Sequence, residues 1–356
     1  MSKIVIIADT HFGCRGDADV FMDNQRKALR DFFIPLLKNE GVKFVVHLGD
    51  LVDRRKGISF KTAQFVRQEF LEPVSKICGM DIICGNHDVA YKNTNETNAL
   101  HEMVEGRYDN ISVFTEPCNR VITDGKKVLM IAKYVPWICD QNYKETMEFL
   151  SSGAPLKTKV FGHLELAGFA MYKGQPVAQH GLDASLFQRF GDVYSGHYHS
   201  PSQQGKIRYL GAAWEMTWSD AGDDRGVHIL DTETLELTFY ENPFTMFATI
   251  NYDPKSSGLK NGVSYYVKGK IVRVIVKDRD ARFDSFLKTL EDDGAVEVQV
   301  VEQPVTAVAS DETTVDVENG DVLSVLKKSV QELEGVDSDA LMGLLAEIHT
   351  EATQGV

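Results

Sequence analysis

The stretch Cys84-Gly85-Asn86-His87-Asp88 follows an apolar run that is typical of a buried β-strand. Its glycine ends the strand, and an amide, an imidazole and a carboxylate then stand side by side on a tight turn. In α/β sheets, ligands and catalytic groups collect at such strand ends. An Asn oxygen can bind a metal ion, and a neighbouring His can donate or accept a proton. Taken alone the stretch is also compatible with an ordinary turn, so its interpretation depends on whether similar clusters recur.

Similar clusters do recur along the chain, each after a glycine or a strand-like apolar run. Residues 3–8, 44–48, 159–161 and 192–195 have the pattern of strands, and each run leads into a turn that carries carboxylates or imidazoles. The members of the five clusters are Asp9, His11, Asp50, Asp53, Asn86, His87, Asp88, His163, His197 and His199. Any one of them has an ordinary explanation, such as a core histidine or a helix cap. Five clusters together favour one shared site.

Helical patterns separate the first three strands. Apolar residues recur at helical spacing over residues 19–39, where Pro35 is expected to kink or break the helix, and over about 61–77. This β-α-β-α-β order predicts an α/β fold with its site at the strand ends. Further short strands are predicted at 111–114, 120–123, 127–132, 208–211 and 226–231.

The residue types in these clusters point to metal chemistry. Carboxylates mixed with imidazoles suit Mn, Fe or Zn better than Ca or Mg. One shared carboxylate can hold two ions roughly 3.5–4 Å apart, a spacing suited to in-line displacement at phosphorus. The ions would neutralise phosphate oxygens and acidify a bridging water, while a nearby proton donor assists the leaving oxygen. The sequence therefore predicts hydrolysis of a phosphate ester.

The net charge of −14 is concentrated near the C-terminus. Residues 281–356 contain 17 acidic and 4 basic residues, a net charge of −13, so residues 1–280 are close to neutral. The charge of the whole chain therefore does not exclude DNA binding by the first 280 residues. The five cysteines are odd in number and lack CxxC spacing, which favours reduced thiols in a cytoplasmic protein. We expect neither a signal peptide nor a membrane span.

The chain is predicted to divide into four parts: 1–235, 236–301, 302–321 and 322–356. The second contains a β-α-β unit, and the third, rich in Pro, Ala, Thr, Asp and Glu, predicts an acidic linker. The fourth predicts two amphipathic helices with apolar positions at Leu323, Leu326, Val330, Leu333, Leu341, Leu344, Leu345 and Ile348. Such a pair has too little core to be stable alone. We expect it to bind a partner protein, or otherwise to pack on its own domain.

In order along the chain, the five motifs resemble those of the calcineurin-like metallophosphoesterase superfamily. They are Asp9-x-His11, Gly49-Asp50-x-x-Asp53, Gly85-Asn86-His87-Asp88, Gly162-His163 and Gly196-His197-x-His199. The resemblance covers about residues 1–230. It implies a four-layer fold in which two packed β-sheets are flanked by helices.

The resemblance also implies a role for each motif residue. One metal ion would be bound by Asp9, His11, Asp50 and His199, and the other by Asp50, Asn86, His163 and His197, so that Asp50 bridges them. His87 would donate a proton to the leaving group. Asp53 and Asp88 are expected to orient these residues rather than to bind metal.

Within the superfamily, the chain most resembles the nuclease subunits of SbcCD-type double-strand-break repair complexes, especially those of T-even bacteriophages. The features that carry this resemblance are residues 8–13, the Gly85-Asn86-His87-Asp88 form of the third motif, Val135-Pro136-Trp137 and Tyr209-Leu210-Gly211-Ala212. It implies a DNA exonuclease and endonuclease that uses two Mn ions, or Mg, in recombination, repair and replication. It also implies a small domain that caps the DNA groove, C-terminal helices that dock on an ABC/SMC-like ATPase, and a homodimer. If the protein is phage-encoded, we expect it in the cytoplasm of the infected bacterium.

Two alternatives remain. The first is a small-substrate phosphodiesterase or phosphatase, because residues 49–54 also resemble the Ser/Thr phosphatase motif. Arg55, Asp88 and Tyr198-His199 depart from that motif, however. An enzyme of this kind also does not need the C-terminal helices. A binding scaffold with an inactive site would require lost ligands, and each motif is present. The basic residues Arg54, Arg55 and Lys56, next to the second motif, are either DNA phosphate contacts or a solvated loop.

Overall fold

The computed structural model describes residues 2–152, 158–172, 177–254 and 266–302. The strands are β1 (Lys3–Ile7), β2 (Phe44–His47), β3 (Gly79–Ile83), β4 (Val89–Tyr91), β5 (Thr94–Asn98), β6 (Ile111–Phe114), β7 (Cys118–Asp124), β8 (Lys127–Val135), β9 (Lys159–His163), β10 (Val193–Gly196), β11 (Ser202–Gln204), β12 (Ile207–Tyr209), β13 (Gly226–Asp231), β14 (Leu237–Glu241), β15 (Phe247–Tyr252), β16 (Ile271–Val276) and β17 (Glu297–Glu302). The helices are α1 (Cys14–Asp17), α2 (Asp19–Ala28), α3 (Ile34–Asn39), α4 (Phe60–Phe65), α5 (Glu72–Ser75), α6 (Ala99–Met103), α7 (Tyr143–Ser151) and α8 (Phe283–Asp292). Shorter helical turns are two π-helical turns, Leu29–Phe33 and Val66–Leu71, and two 3₁₀ turns, Ala184–Phe187 and Trp218–Asp220. Across these described ranges, no helix is long and apolar enough to cross a membrane.

Two six-stranded sheets contain 12 of the 17 described strands. The first has the order β14-β13-β1-β2-β3-β6, in which β1, β2, β3 and β6 are parallel and β13 and β14 are antiparallel to their neighbours. The second has the order β11-β12-β10-β9-β8-β7, with a parallel centre and one antiparallel strand at each edge. Strands β4 and β5 form a separate hairpin.

The two sheets pack face to face, as strand β1 illustrates. Ile4 and Ile6 lie in the same apolar cluster as Phe161 and Tyr194 of the second sheet. The alternate residue Val5 packs in a second cluster that includes residues of the helices over the first sheet. Because both faces of β1 are covered, its sequence is a continuous apolar run. A third cluster covers the outer face of the second sheet, so the predicted arrangement of two packed sheets flanked by helices is confirmed.

Pro35 was predicted to kink or break the first long helix, and it does not break it. Helix α2, a π-helical turn and α3 follow one another without interruption, and the proline lies in the first turn of α3. A proline lacks the N–H that an α-helix needs. Here the N–H of Ile34, just before the proline, donates to the oxygen of Leu29 five residues earlier. The same π-helical solution precedes Pro73, where Glu72 donates to Arg67, so both helices stay continuous.

A third, parallel sheet of three strands, β15-β16-β17, packs with α8 around its own apolar cluster. The sequence predicted β16, α8 and β17. Strand β15 was missed, although its buried residues Ala248, Ile250 and Tyr252 alternate with polar ones, the pattern of a half-buried strand. The described residues fall within one compact unit, Met1–Gln303. The predicted C-terminal helices and residues 303–321 of the predicted linker lie outside the described residues, and the predicted domain boundaries stay predictions.

A buried ion pair lies between the two large sheets. The carboxylate of Asp81 is fully buried and accepts hydrogen bonds from Arg120 Nε at 2.7 Å and Nη2 at 3.0 Å. The hydroxyl of Tyr134 donates a third bond at 2.9 Å. Burial raises the pKa of Asp81, although Arg120 opposes this shift. The pair therefore depends on keeping both partners.

Replacing Arg120 by Ala is expected to lower the free energy of unfolding by about 2–3 kcal/mol, because the Asp81 carboxylate keeps only one donor in a buried position. Urea denaturation measures this loss. Since the pKa of Asp81 in the folded protein is raised above its unfolded value, the protonated form favours folding. The difference in free energy of unfolding between the wild type and the variant should therefore be small at acid pH. It should grow as pH rises through the pKa of Asp81 in the folded protein.

Removing Arg67, whose ion pair with Glu72 is half exposed, should cost less than about 1 kcal/mol. Equal losses in the two variants would contradict the prediction.

Candidate metal centre

The ends of five strands bring the five predicted clusters together. The turns after β1, β2 and β3 belong to the first sheet, and those at the ends of β9 and β10 belong to the second. Parallel strands place their carboxyl ends at one edge of a sheet. Because the two sheets pack face to face, the carboxyl-end edge of the first sheet lies beside that of the second, and the side chains at the two edges meet.

One group of potential ligands consists of Asp9, His11 and His199, whose ligand atoms lie within 4.8 Å of one another. The Nε2 atoms of the two histidines are 3.2 Å apart. Asp9 is fully buried, and its carboxylate accepts from the backbone N–H of His197 at 3.0 Å. Two buried side chains and the partly buried His199 thus direct two nitrogens and one carboxylate at the same point.

A second group consists of Asp50, His163 and His197, again within 4.8 Å. The amide oxygen of Asn86 lies 2.9 Å from His163 Nε2 and 2.8 Å from His197 Nδ1, which adds a neutral oxygen to the group. His163 Nδ1 donates to the carbonyl of Leu48 at 2.8 Å, and this bond leaves Nε2 facing the group. The Nε2 of His197 is buried and has no hydrogen-bond partner among the described residues.

Asp50 lies between the two groups. Its Oδ2 is 3.5 Å from His11 Nε2 and 3.4 Å from His163 Nε2, so one carboxylate oxygen is near-equidistant from a histidine of each group. Its Oδ1 accepts from the backbone N–H of His87 at 2.7 Å. This is the position that a bridging ligand would require.

The electrostatics of the centre favour positive charge. Burial alone would lower the pKa of His11 and His163, but surrounding carboxylates outweigh it and raise both to about 9. Although burial opposes it, neighbouring histidines hold the pKa of Asp50 well below its usual range. A divalent cation supplies the same positive charge to ligands of the same types. The donor set of the two groups therefore fits metal ions.

Four candidate ligands have left-handed backbone conformations. The φ angles are 51° for Asp9, 40° for His11, 55° for Asp50 and 88° for His197. Such conformations cost of order 1–3 kcal/mol each and persist only where the surroundings impose them. Here a backbone hydrogen bond links the loop after β1 to the loop after β2: the N–H of His11 donates to the carbonyl of Asp50 at 3.0 Å.

The motif glycines have a steric explanation. A Cβ on Gly49, which has φ 99°, would lie 2.6 Å from His163 Nδ1. A Cβ on Gly85 would lie 2.3 Å from the Asp50 carboxylate. Both glycines therefore let candidate ligands approach the backbone.

Asp88 lies behind the centre rather than within it. Its fully buried carboxylate accepts from the backbone N–H groups of Gly85, Asp50, Leu51 and Val52 at 2.9–3.2 Å. Burial and the Asp50 charge raise the pKa of Asp88 to about 7, whereas the four donors favour its ionised form. The side chain fixes the Asp50 turn, and the orienting role of Asp88 at a metal centre stays a prediction.

Asp53 and His87 lie beside the first group. Asp53 Oδ1 is 3.4 Å from His11 Nδ1, and its carbonyl accepts from His87 Nδ1 at 2.6 Å. Asp53 does not cap the following helix; Ser59 does, by accepting from Thr62 N–H. His11, Asp53 and His87 also form a third group within 4.8 Å, so geometry alone permits His87 to be either a proton donor or a ligand. Burial lowers the pKa of His87, partly offset by Asp50.

Two buried residues near the centre were not predicted. His47 accepts from Gly49 N–H at 3.2 Å and contacts the Thr10 hydroxyl at 3.0 Å, and burial lowers its pKa to about 3, so it is neutral. It was overlooked because it belongs to the apolar strand β2. Asp220 is fully buried beside His199, at 3.7 Å from its Nδ1. Although burial opposes it, His199 and Arg225 lower the pKa of Asp220 to about 2. No local pattern marks this residue.

A cavity of about 680 Å³ opens over the candidate ligands. Its basic lining residues are Arg15, Arg55 and Lys92, and its walls also include Trp137 and Tyr172. Of the predicted basic cluster, Arg55 alone is among the described lining residues. Arg54 instead lies 4.0 Å from the Asp17 carboxylate.

Two packed sheets with mixed carboxylate and imidazole groups at their shared edge are the arrangement of a two-metal hydrolase. Residues 2–201 match the family described as calcineurin-like phosphoesterase, and the chain belongs to this family. The family predicted from the five motifs is thus confirmed, and the protein is a metal-dependent phosphodiesterase.

Over 356 residues the chain is 30% identical to exonuclease subunit 1 of Enterobacteria phage T4, an alignment that covers 99% of this chain and 100% of the relative. Among solved structures, it is similar to GAP50, the anchor in the inner membrane complex of Plasmodium, with a TM-score of 0.42, 13% identity and coverage of 68% and 89% of the two chains. It is also similar to purple acid phosphatase PPD1 from yellow lupin seeds, with a TM-score of 0.39, 15% identity and coverage of 68% and 51%. These two structural similarities are too weak to bear on activity.

Proposed function

We propose that this protein is the nuclease subunit of an ATPase–nuclease complex that processes DNA ends in recombination, repair and replication. It cleaves DNA phosphodiesters, as exonuclease and endonuclease, with two bound Mn²⁺ ions. The observation that carries the proposal is the position of Asp50 between two groups of potential ligands, in a chain that is similar over its full length to an exonuclease subunit.

The ligand set supports Mn²⁺ over Mg²⁺. Four histidines, His11, His163, His197 and His199, stand in the two groups. Imidazole suits transition metals, whereas Mg²⁺ prefers oxygen ligands and retained water. The test below therefore compares the two metals directly.

When bound, the ions neutralise phosphate oxygens and acidify the attacking water. The residues of the chain supply the rest. Asp50 lies between the two ligand groups and contacts a histidine of each. Asp88 fixes the Asp50 turn by accepting hydrogen bonds from backbone N–H groups. His87 donates a proton from Nε2 to the leaving oxygen in its imidazolium form, whose other proton, on Nδ1, is bonded to the Asp53 carbonyl.

The cavity lining supports a polymeric, anionic substrate. Arg15 and Arg55 lie at the cavity wall with Lys92. Arg15 Nε donates to the carbonyl of Met216 at 3.0 Å, which holds the guanidinium beside the ligand groups. Phosphates next to the scissile one are the anions that such residues bind.

A nuclease assay tests the proposal. The full chain is incubated with linear duplex DNA and with bis-p-nitrophenyl phosphate, in Mn²⁺, in Mg²⁺ and in excess chelator. We expect DNA cleavage that requires a metal and is faster in Mn²⁺. Efficient hydrolysis of the small ester with intact DNA, both with and without an ATPase partner, would contradict the proposal and favour a small-substrate enzyme.

Replacing Arg55 by Ala is expected to raise KM for DNA about 10-fold, because one phosphate contact is lost. The slope of the logarithm of the DNA-binding constant against the logarithm of the salt concentration should become shallower by about one. Hydrolysis of bis-p-nitrophenyl phosphate, which has no neighbouring phosphate, should stay within about 2-fold of wild type. Arg54→Ala is the matched control, because Arg54 is adjacent in sequence and faces Asp17. Equal effects of the two substitutions would refute a specific contact by Arg55.

The C-terminal residues 322–356 are proposed to bind the ATPase subunit, and the protein is proposed to act as a homodimer. The relative is itself named as a subunit, and the apolar positions in this segment repeat at helical spacing. Truncation after residue 321 should preserve metal-dependent hydrolysis and abolish co-purification with the ATPase. A truncated chain that no longer folds would instead assign these residues to packing within the subunit.

A further inference from the structure

Two buried polar atoms face each other behind the first ligand group. His199 Nδ1 and Asp220 Oδ1 are 3.7 Å apart. Within the described ranges the His199 nitrogen has no hydrogen-bond partner, and Asp220 Oδ1 has an ion pair with Arg225 Nη2 at 3.1 Å. Buried polar atoms are rarely left unpaired, so the His199 nitrogen requires an explanation.

The Asp220 side chain is held rigidly in this position. Its Oδ2 accepts from the N–H groups of Met216 at 2.9 Å and Thr217 at 2.8 Å, and from the Thr217 hydroxyl at 3.1 Å. Arg225 Nη2 lies 3.1 Å from Oδ1, and Arg225 Nη1 donates to the carbonyl of His199. These contacts aim Oδ1 at the imidazole of His199.

Two other histidines of the centre have the same arrangement. His163 donates from Nδ1 to the carbonyl of Leu48, and His11 Nδ1 faces the Asp53 carboxylate at 3.4 Å. In both, Nε2 lies on the side of Asp50. An oxygen behind Nδ1 fixes the proton there and leaves the lone pair of Nε2 for a metal ion.

We propose that Asp220 is a positioning residue for the metal centre: it holds the proton of His199 on Nδ1, so that Nε2 presents its lone pair to the ion at Asp9 and His11. This inference rests on the proposed metal binding by His199. Binding of the ion at Nε2 would draw the ring into place and close the 3.7 Å gap to a hydrogen bond.

The variant Asp220→Asn tests the proposal. The amide can keep an oxygen for the donors of Met216 and Thr217, but it then presents an N–H to His199 Nδ1. A donor at this position favours the tautomer protonated on Nε2, which cannot bind metal. The matched control is Asp223→Asn, because Asp223 also lies beside Arg225, at 3.3 Å from Nη2.

The full chain is titrated with Mn²⁺ alone, and electron paramagnetic resonance counts free ions. We expect two sites in the wild type and in Asp223→Asn. In Asp220→Asn, one site should weaken about 10–100-fold while the other stays within about 2-fold. Unchanged affinities, equal weakening of both sites, or the same loss in Asp223→Asn would overturn the proposal, as would a wild type that binds fewer than two ions.

A second measurement does not depend on how the variant folds. In the ¹⁵N-histidine-labelled wild type loaded with Zn²⁺, nuclear magnetic resonance should place the His199 proton on Nδ1, and a proton on Nε2 would overturn the proposal. DNA cleavage is assayed separately. A wild type that binds two ions but leaves DNA intact would contradict the nuclease function alone.

Discussion

Asp50→Asn is expected to lower phosphodiester hydrolysis about 10³-fold and to leave the protein unable to hold two metal ions together. Asp50 Oδ2 is the one carboxylate oxygen placed within 3.5 Å of histidines of both groups in the described structure. An amide oxygen lacks the charge needed to hold two cations. Metal ions contribute several kcal/mol to such transition states, and each 1.36 kcal/mol is a factor of ten in rate.

The loss is measured as kcat/KM for DNA, together with the number of Mn²⁺ ions bound per chain. Asp124→Asn is the control, because it removes one carboxylate at an exposed hairpin turn, between β7 and β8. This control should match the wild type in both measurements. A variant of Asp50 that keeps two ions and activity within 10-fold of wild type would show that Asp50 does not bridge.

His87→Ala is expected to lower kcat for DNA about 10²–10⁴-fold, the usual contribution of a positioned general acid, while two Mn²⁺ ions still bind. The reason is the orientation of the ring. Its Nδ1 is bonded to the Asp53 carbonyl, its centroid lies 4.7 Å from that of His11, and its Nε2 is left for the leaving oxygen.

The choice of substrate sharpens this prediction. A p-nitrophenolate leaving group needs little protonation, whereas a deoxyribose oxygen needs much more. The defect of His87→Ala should therefore be at least about 10-fold smaller on bis-p-nitrophenyl phosphate than on DNA. If His87 is instead a ligand with His11 and Asp53, the variant will lose a metal ion and both substrates will be affected equally.

Much of the fold and of the candidate centre was accessible from the sequence. Strands β1, β2 and β3 are largely buried and rich in apolar residues, so the polar residues that follow them stand out. The five motifs predicted the family, and the structure brings their carboxylates and imidazoles together. The role of each candidate ligand stays a prediction until metal is observed.

What the sequence did not reveal depends on contacts distant in the chain. Asp220 is 21 positions from His199, and its position depends on a loop held by Met216, Thr217 and Arg225. His47 is hidden within an apolar strand. The continuous helix through Pro35 depends on a π-helical turn, which the apolar spacing does not distinguish from an α-helical one.

Anomalous X-ray scattering at the manganese absorption edge, from crystals of the full chain soaked in Mn²⁺, tests the central claim most directly. We predict two peaks roughly 3.5–4 Å apart with Asp50 between them. One should lie beside Asp9, His11 and His199, and the other beside Asn86, His163 and His197. A single peak, or a second ion held by Asp53 and His87 instead, would contradict the account.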